Sequence, residues 1–221
     1  PEPPRTAVSM IRTTILALCL AAAAAFAPAM RGGARGRSAM LSMKIGVVYD
    51  TVTSNAGTVG EYIVAAAKAK GLEVDDLQLV SAANLESYSA IIAGAPTWNT
   101  GADEERSGTS WDDFLYSTLP SLDLKGKPVA VFGVGDQSSY PDNFCDAAEE
   151  LYSCFSKAGC NMIGKISTDG YDHDESKAEI EPGVFCGMLF DEDNESDLSK
   201  ERATKWVEQL VAEGIVASAS A

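Results

Sequence analysis

Between residues 43 and 214, short apolar runs alternate with stretches whose apolar residues recur at helical spacing. Lys44–Tyr49 (KIGVVY) is an apolar run bounded by turn formers and predicts a buried strand. Val59, Ile63, Ala66 and Ala67 follow at helical spacing, and Gly71 ends that pattern. Val74–Val80 predicts a second strand, Tyr88–Ala95 (YSAIIAGA) a third ending at Pro96, and Pro128–Val134 (PVAVFGV) a fourth closed by Gly135. Trp111, Leu115 and Tyr116 predict a helix over 109–118. Phe144, Ala148, Leu151, Phe155 and Ala158, spaced 4, 3, 4 and 3 apart, predict another, followed by Gly159. Met162–Ile166 and Val184–Phe190 are two further strand candidates. Ala203, Trp206, Val207, Leu210 and Val211 predict a last amphipathic helix closed by Gly214.

Strands alternating with helices imply an α/β fold, a parallel sheet covered by helices on both faces. Right-handed crossovers leave few topologies for it. No repeat or linker divides the segment, so residues 43–214 are expected to form one domain, with 215–221 as a tail. In such sheets a ligand sits beyond the carboxyl ends of the strands, where the strand order switches. The loops after the first, third and fourth strands are therefore the candidates for function.

Composition changes the picture at the N-terminus. Residues 1–42 hold five Arg and one acid, whereas residues 43–221 hold 12 basic and 31 acidic residues, a net of −19. Met10, a candidate initiator, opens a basic segment. Ile15–Ala25 (ILALCLAAAAA) is an apolar run of 11 residues that gives way to small residues, the pattern of a secretory signal peptide. Ala25-Phe26-Ala27-Pro28 resembles the junction of bipartite plastid presequences in algae with red-lineage plastids. The acid-free stretch 29–42 (AMRGGARGRSAMLS) is similar to a transit peptide. Residues 1–42 are thus expected to be a removable address to the stroma of a complex plastid.

Charge also limits the partners. The whole chain carries −15, and an acidic surface is a poor match for nucleic acid, whose phosphates need clustered Lys and Arg. No apolar run reaches the roughly 20 residues of a spanning helix. Cys145, Cys154, Cys160 and Cys186 contain no CxxC and suit neither zinc nor an iron–sulfur cluster, so they are expected to be small buried hydrophobes. His173, the single histidine, is expected to be a solvated loop residue.

The loops carry the candidate chemistry. After the first strand, Asp50-Thr51-Val52-Thr53-Ser54-Asn55-Ala56 is rich in hydroxyls, has no Lys or Arg, and enters a helix N-terminus. Free N–H groups and the helix dipole there favour an anion. The stretch suits a phosphate cradle without a basic side chain, or an ordinary capped turn; it is neither a Walker loop nor GxGxxG. After the third strand, Trp98 stands in the polar loop Pro96-Thr97-Trp98-Asn99-Thr100-Gly101. After the fourth, Tyr140 stands in Gly135-Asp136-Gln137-Ser138-Ser139-Tyr140-Pro141-Asp142-Asn143. Two aromatics on neighbouring loops beside a phosphate cradle make a slot for a flat ring with a phosphate tail, such as flavin mononucleotide (FMN).

PTWNTG (96–101), GDQSSYPDNFCDA (135–147), DGYDHDESKA (169–178) and FDEDNESDLSKERATKWVEQL (190–210) resemble, in order, the segments of a long-chain flavodoxin. The resemblance implies a flavodoxin-like, doubly wound, five-stranded parallel sheet in the order 2-1-3-4-5. It implies a long-chain insertion in the last strand, here Ser167–Gly183. It places Trp98 and Tyr140 against the isoalloxazine ring and the Asn99–Thr100 peptide at its N5, with Thr97 and Gly101 in the same loop. Gly135, Asp136 and Asn143 are placed along the pyrimidine side or in support of that loop, and Thr51 to Ala56 at the phosphate. Against the family pattern Thr-x-Thr-Gly-x-Thr, Ser54 stands for the Gly and Ala56 for the last Thr. Losing that hydroxyl removes about 1.5–3 kcal/mol, roughly 10- to 150-fold in affinity.

By the same resemblance the chain is expected to be a monomeric one-electron carrier between photosystem I and ferredoxin–NADP reductase, replacing ferredoxin when iron is scarce and touching thylakoid complexes only peripherally. It needs no catalytic residue and no metal. The acidic runs Asp103-Glu104-Glu105 and Asp191-Glu192-Asp193 suit steering towards basic partners. The alternatives are an FMN-free docking or structural subunit of a photosynthetic complex and a flavin-dependent quinone reductase. A receiver domain would need a phosphoacceptor Asp after the third strand, where Gly94-Ala95-Pro96 stands.

Overall fold

The computed structural model describes residues 43–77 and 83–216. The proposed address, residues 78–80 of the second strand signal and the last five residues lie outside them.

Five elements build the first half: β1 (Ile45–Tyr49), α1 (Asn55–Ala69), β2 (Val74–Leu77), β3 (Ala90–Pro96) and α2 (Ser110–Asp113). Then come β4 (Pro128–Val134), α3 (Asp146–Lys157), β5 (Asn161–Ile163), β6 (Ile166–Ser167), β7 (Glu179–Glu181), β8 (Val184–Phe185), β9 (Met188–Phe190) and α4 (Ser196–Ala212). The main sheet runs β2-β1-β3-β4-β5, all parallel, with β9 also on β4. This is the expected 2-1-3-4-5 order.

Parallel strands covered on both faces read as continuous apolar runs, and every residue of β1 and β3 is buried. The side chains still alternate between faces. Ile45, Val47, Tyr49, Ile92 and Phe132 join α1 and α4 in one core, with Trp206 at its centre. Val48, Ile91, Ala93, Val129 and Val131 join α3 and the 110–121 segment in the other, around Trp111 and Phe155. Each buried indole donates to a backbone carbonyl, Trp111 to Gly94 and Trp206 to Gly164, both at 2.8 Å. Neither of these two indole nitrogens is thereby stranded.

Three sequence expectations change. The helix expected over 109–118 is one α turn, then a π turn (Phe114–Thr118), then a 3-10 turn (Leu119–Ser121) closed around Pro120. The expected strand Met162–Ile166 breaks at Gly164, whose φ is +85°, so β5 stays in the main sheet and β6 leaves it. The expected strand Val184–Phe190 breaks at Cys186–Gly187. β8 pairs antiparallel with β6 and β7, while β9 returns to β4. The fifth strand position is thus filled by two pieces, β5 opposite Pro128–Ala130 and β9 opposite Phe132–Val134. Period-2 apolarity reports a strand without saying which sheet it joins.

Gly187 makes the return possible. A Cβ there would lie 1.9 Å from the carbonyl oxygen of Val131, in the middle of β4. Between the two pieces the chain extends the core around Trp111 and Phe155, adding Ala178, Phe185 and Cys186 to it. His173, expected in solvent, is packed there with ring centroids 5.0 Å from Phe185 and 5.9 Å from Phe144. Its side chain is 8% exposed.

Candidate functional site

The strand order switches at β1, which has β2 on one side and β3 on the other. The loops leaving the carboxyl ends of β1, β3, β4 and β9 surround a cavity of about 440 Å3. Thr53 and Asn55 line it from the first loop; Pro96, Thr97, Trp98 and Thr100 from the second; Val134, Gly135, Asp136 and Tyr140 from the third; and Asp193 from the fourth. That volume is within the roughly 300–1,000 Å3 usual for small-molecule pockets.

The first loop turns into α1 at Ser54, which takes φ 77° and ψ −16°. A left-handed residue at this point turns the chain so that the first N–H groups of the helix face outward, where they lack intrahelical acceptors. Thr58 donates to the Ser54 carbonyl at 2.8 Å and closes the first turn. Asp50 fixes the start of the loop. Its carboxylate accepts from Thr51 N at 2.8 Å, from Ser110 N at 2.9 Å and from the Ser110 hydroxyl, which ties the loop to the start of α2. Ala56 is 1% exposed, its methyl in the core under the cradle, so its contribution towards the pocket is its backbone alone.

The walls are aromatic. Trp98 is 47% exposed and Tyr140 53%, and both line the cavity. Rings of this size left out of the core and turned to one cavity are placed for stacking. The Trp98 loop is held from behind by α3. Glu150, almost fully buried, accepts from Glu105 N at 2.6 Å, from Arg106 N at 2.8 Å and from the Tyr116 hydroxyl. Arg106 pairs with Glu149 at 2.5 Å, and Asn99 donates to the Glu105 carbonyl. Gly108, at φ +64°, passes so close to Trp98 that a Cβ there would meet the Trp98 Cβ at 2.8 Å.

A buried carboxylate also organises the remaining loops. Asp191, fully buried, accepts from Gln137 N, Asp193 N, Asn194 N and the Asn194 amide, between 2.8 and 3.2 Å. Asn194 in turn donates to Asp136 at 2.8 Å. Burial pushes the Asp136 carboxyl up, but hydrogen bonds from Ser139, Asn194 and Ser138 outweigh it and hold the group below its ordinary range. Asp136 therefore presents a negative charge to the pocket at neutral pH.

Of the fifteen residues singled out from the sequence, Thr53, Asn55, Thr97, Trp98, Thr100, Gly135, Asp136 and Tyr140 line the cavity. Thr51, Val52, Ser54, Ala56, Asn99 and Gly101 belong to the same loops without lining it. Asn143 lies apart from it: it donates to Asp146 at 3.3 Å and faces a separate acidic cleft beside Lys177. Sequence reasoning missed Asp50, Glu150 and Asp191 as the loop anchors, and Asp193 as a pocket residue. A buried acid that holds a loop looks like any surface acid in a chain this acidic. Cys145 and Cys186 are buried as expected, whereas Cys154 and Cys160 are half-buried. Among the described residues no group of three or more His, Cys, Asp or Glu could hold a metal ion, and no helix is long and apolar enough to cross a membrane.

The flavodoxin family model matches residues 47–206. The chain belongs to the flavodoxin family. A flavodoxin of Nostoc sp. is 40% identical over 173 residues, which cover 78% of this chain and 98% of that one. A flavodoxin of Synechococcus elongatus is 38% identical over 171 residues, 77% of this chain and 97% of the other. Among solved structures, a Fusobacterium nucleatum flavodoxin bound to flavin mononucleotide superposes with a TM-score of 0.68 and 27% identity, covering 77% of this chain and 98% of that one.

Proposed function

We propose that this chain binds FMN in the cavity at the switch point and works as a low-potential one-electron carrier. The observation that carries the reading is the joint lining of one cavity by two exposed aromatic rings and by the N-terminus of α1. The donor set fits the group: a flat apolar ring between Trp98 and Tyr140, and an anionic tail at Thr53, Asn55 and the first amides of α1. When bound, the flavin supplies the one-electron chemistry. The chain does the rest. Trp98 and Tyr140 exclude water from the ring faces. The loops braced by Glu150 and Asp191 keep the walls in place. Asp136 and a net charge of −19 over residues 43–221 disfavour added negative charge on the ring, which makes the loaded protein a strong reductant.

The physiological reading is a carrier from photosystem I to ferredoxin–NADP reductase, in place of ferredoxin under iron limitation, in the stroma of a complex plastid. Its support is the long-chain flavodoxin resemblance, the likeness to cyanobacterial flavodoxins, and a basic leader, acid-free over residues 29–42, that precedes the family match starting at residue 47. The test is a titration of the purified protein with FMN, followed by photoreduction with photosystem I and reoxidation by the reductase. Quenched flavin fluorescence and electron flow through both steps are expected. Unquenched flavin would refute the carrier. A cradle with acids and without a basic side chain favours one other reading, an FMN-free docking subunit, and the same titration separates the two. A reporter fused to residues 1–42 that stayed outside the plastid would refute the address.

A further inference from the structure

The cradle at the start of α1 faces a carboxylate. Asp193 lines the same cavity as Thr53 and Asn55, and its Oδ1 accepts from the Asn55 side-chain amide at 3.3 Å. This acid is not free to swing away with its segment, because Asp193 N is held by the buried Asp191 at 3.2 Å and the next residue, Asn194, is held by both Asp191 and Asp136. Three further features leave the charge uncompensated. None of the residues lining the cavity is Lys, Arg or His. Among the described residues neither Asp136 nor Asp193 has an ion-pair partner. The donors nearest the anion are depleted, since Asp50 engages Thr51 N, Asp193 engages the Asn55 amide, and Ala56 offers no hydroxyl.

From this geometry we infer that Asp193 is a specificity-determining residue, one that lowers the chain's preference for the phosphorylated flavin over riboflavin. The inference rests on the FMN reading and says how the phosphate end of that site is tuned. A phosphate arriving at α1 meets the Asp193 charge and must compete with it for the Asn55 amide. Riboflavin, which shares the ring and lacks the dianion, does neither. For a separation on the order of 6 Å in a water-like dielectric, Coulomb repulsion between a unit charge and a dianion corresponds to about a tenfold loss of affinity. The repulsion crosses solvent, so salt weakens it. FMN affinity relative to riboflavin therefore rises with ionic strength.

The experiment titrates the purified full chain with FMN and with riboflavin, reading flavin fluorescence, at about 20 mM and about 300 mM NaCl, where the Debye lengths are roughly 20 and 6 Å. Asp193→Asn is compared with the unaltered chain. Asp193 is exposed, and its backbone bonds do not depend on its side chain, so the variant folds; far-UV circular dichroism checks this. Asp193→Asn is expected to raise FMN affinity about tenfold at low salt, to leave riboflavin affinity within about twofold, and to flatten the salt dependence of the ratio. Asn55→Lys, which puts a cation against Asp193, is expected to move the ratio in the same direction. Both flavins binding with an unchanged ratio in Asp193→Asn would overturn this inference and leave the FMN reading standing, as would a loss of FMN affinity alone. Failure of either flavin to bind would overturn the FMN reading, and this inference with it.

Discussion

Removing Glu150 should loosen the Trp98 wall from a distance. The carboxylate is 4% exposed and sits on α3, away from the cavity, yet it accepts from two consecutive amides of the 98–108 loop and from the Tyr116 hydroxyl. Hydrogen bonds to a charged acceptor contribute about 1.5–3 kcal/mol each. Water reaches the loop amides once the side chain is gone, so the losses do not add in full. Glu105 also takes a left-handed conformation, φ 59°, which costs an L-residue about 1–2 kcal/mol and is held by these bonds together with the one from Asn99. Glu150→Ala frees Glu105 to relax and lets Trp98 and Asn99 move with it. We expect a loss of about 2–4 kcal/mol in urea unfolding followed by far-UV circular dichroism. FMN affinity should fall in the same variant. Glu150→Gln, which keeps one acceptor oxygen, should lie between the two in both measurements. A change under about 0.5 kcal/mol for Glu150→Ala, the level of an ordinary surface substitution, would refute the claim that this carboxylate braces the loop.

Ser54→Gly removes an L-residue from φ 77° but gives the unfolded chain more freedom; the balance should stabilise the protein by about 0.5–1 kcal/mol in the same assay, and destabilisation would contradict it. Gly187→Ala drives a methyl to 1.9 Å from a backbone oxygen of the central β4 and should cost roughly 3 kcal/mol, the upper end of overpacking. Gly170→Ala, with φ +87° but nothing within 4 Å, carries only the backbone cost and should lose about 1–2 kcal/mol. Burial pushes the Cys160 thiol up from 9.0 to about 11, against a smaller pull from Lys127. The unfolded chain therefore sheds this proton first, and stability should fall as pH rises from about 9 to about 11. Cys160→Ala should flatten that limb of a pH series of urea melts; an unaltered limb would exclude the thiol as its source.

The repeating apolar runs of β1, β3 and β4 and the helical spacing in α1, α3 and α4 were legible because parallel strands buried on both faces and helices with one buried stripe each impose a local period. The exposed aromatics, Trp98 and Tyr140, were legible too, since a large ring in a loop of Thr, Asn, Gly and Pro has no apolar partners nearby in the chain. The right-handed crossover rule reduced the topologies to a few, and the resemblance to long-chain flavodoxins supplied the order of strands among them.

Tertiary contacts decided the rest. The two pieces of the fifth strand, the packing of His173 against Phe144 and Phe185 and the π turn after Asp113 depend on what each segment meets across the fold, which no local period records. The difference is sharpest for the acids. Asp50, Glu150 and Asp191 became buried anchors, Asp136 and Asp193 became pocket walls, and most of the other carboxylates stayed in water, although all are the same kind of residue in an acidic chain. A carboxylate's role is set by the donors within about 3 Å of it. Some of those donors are local, but others come from 60 residues away for Asp50, 44 and 45 away for Glu150 and 54 away for Asp191, and only the folded chain brings these together.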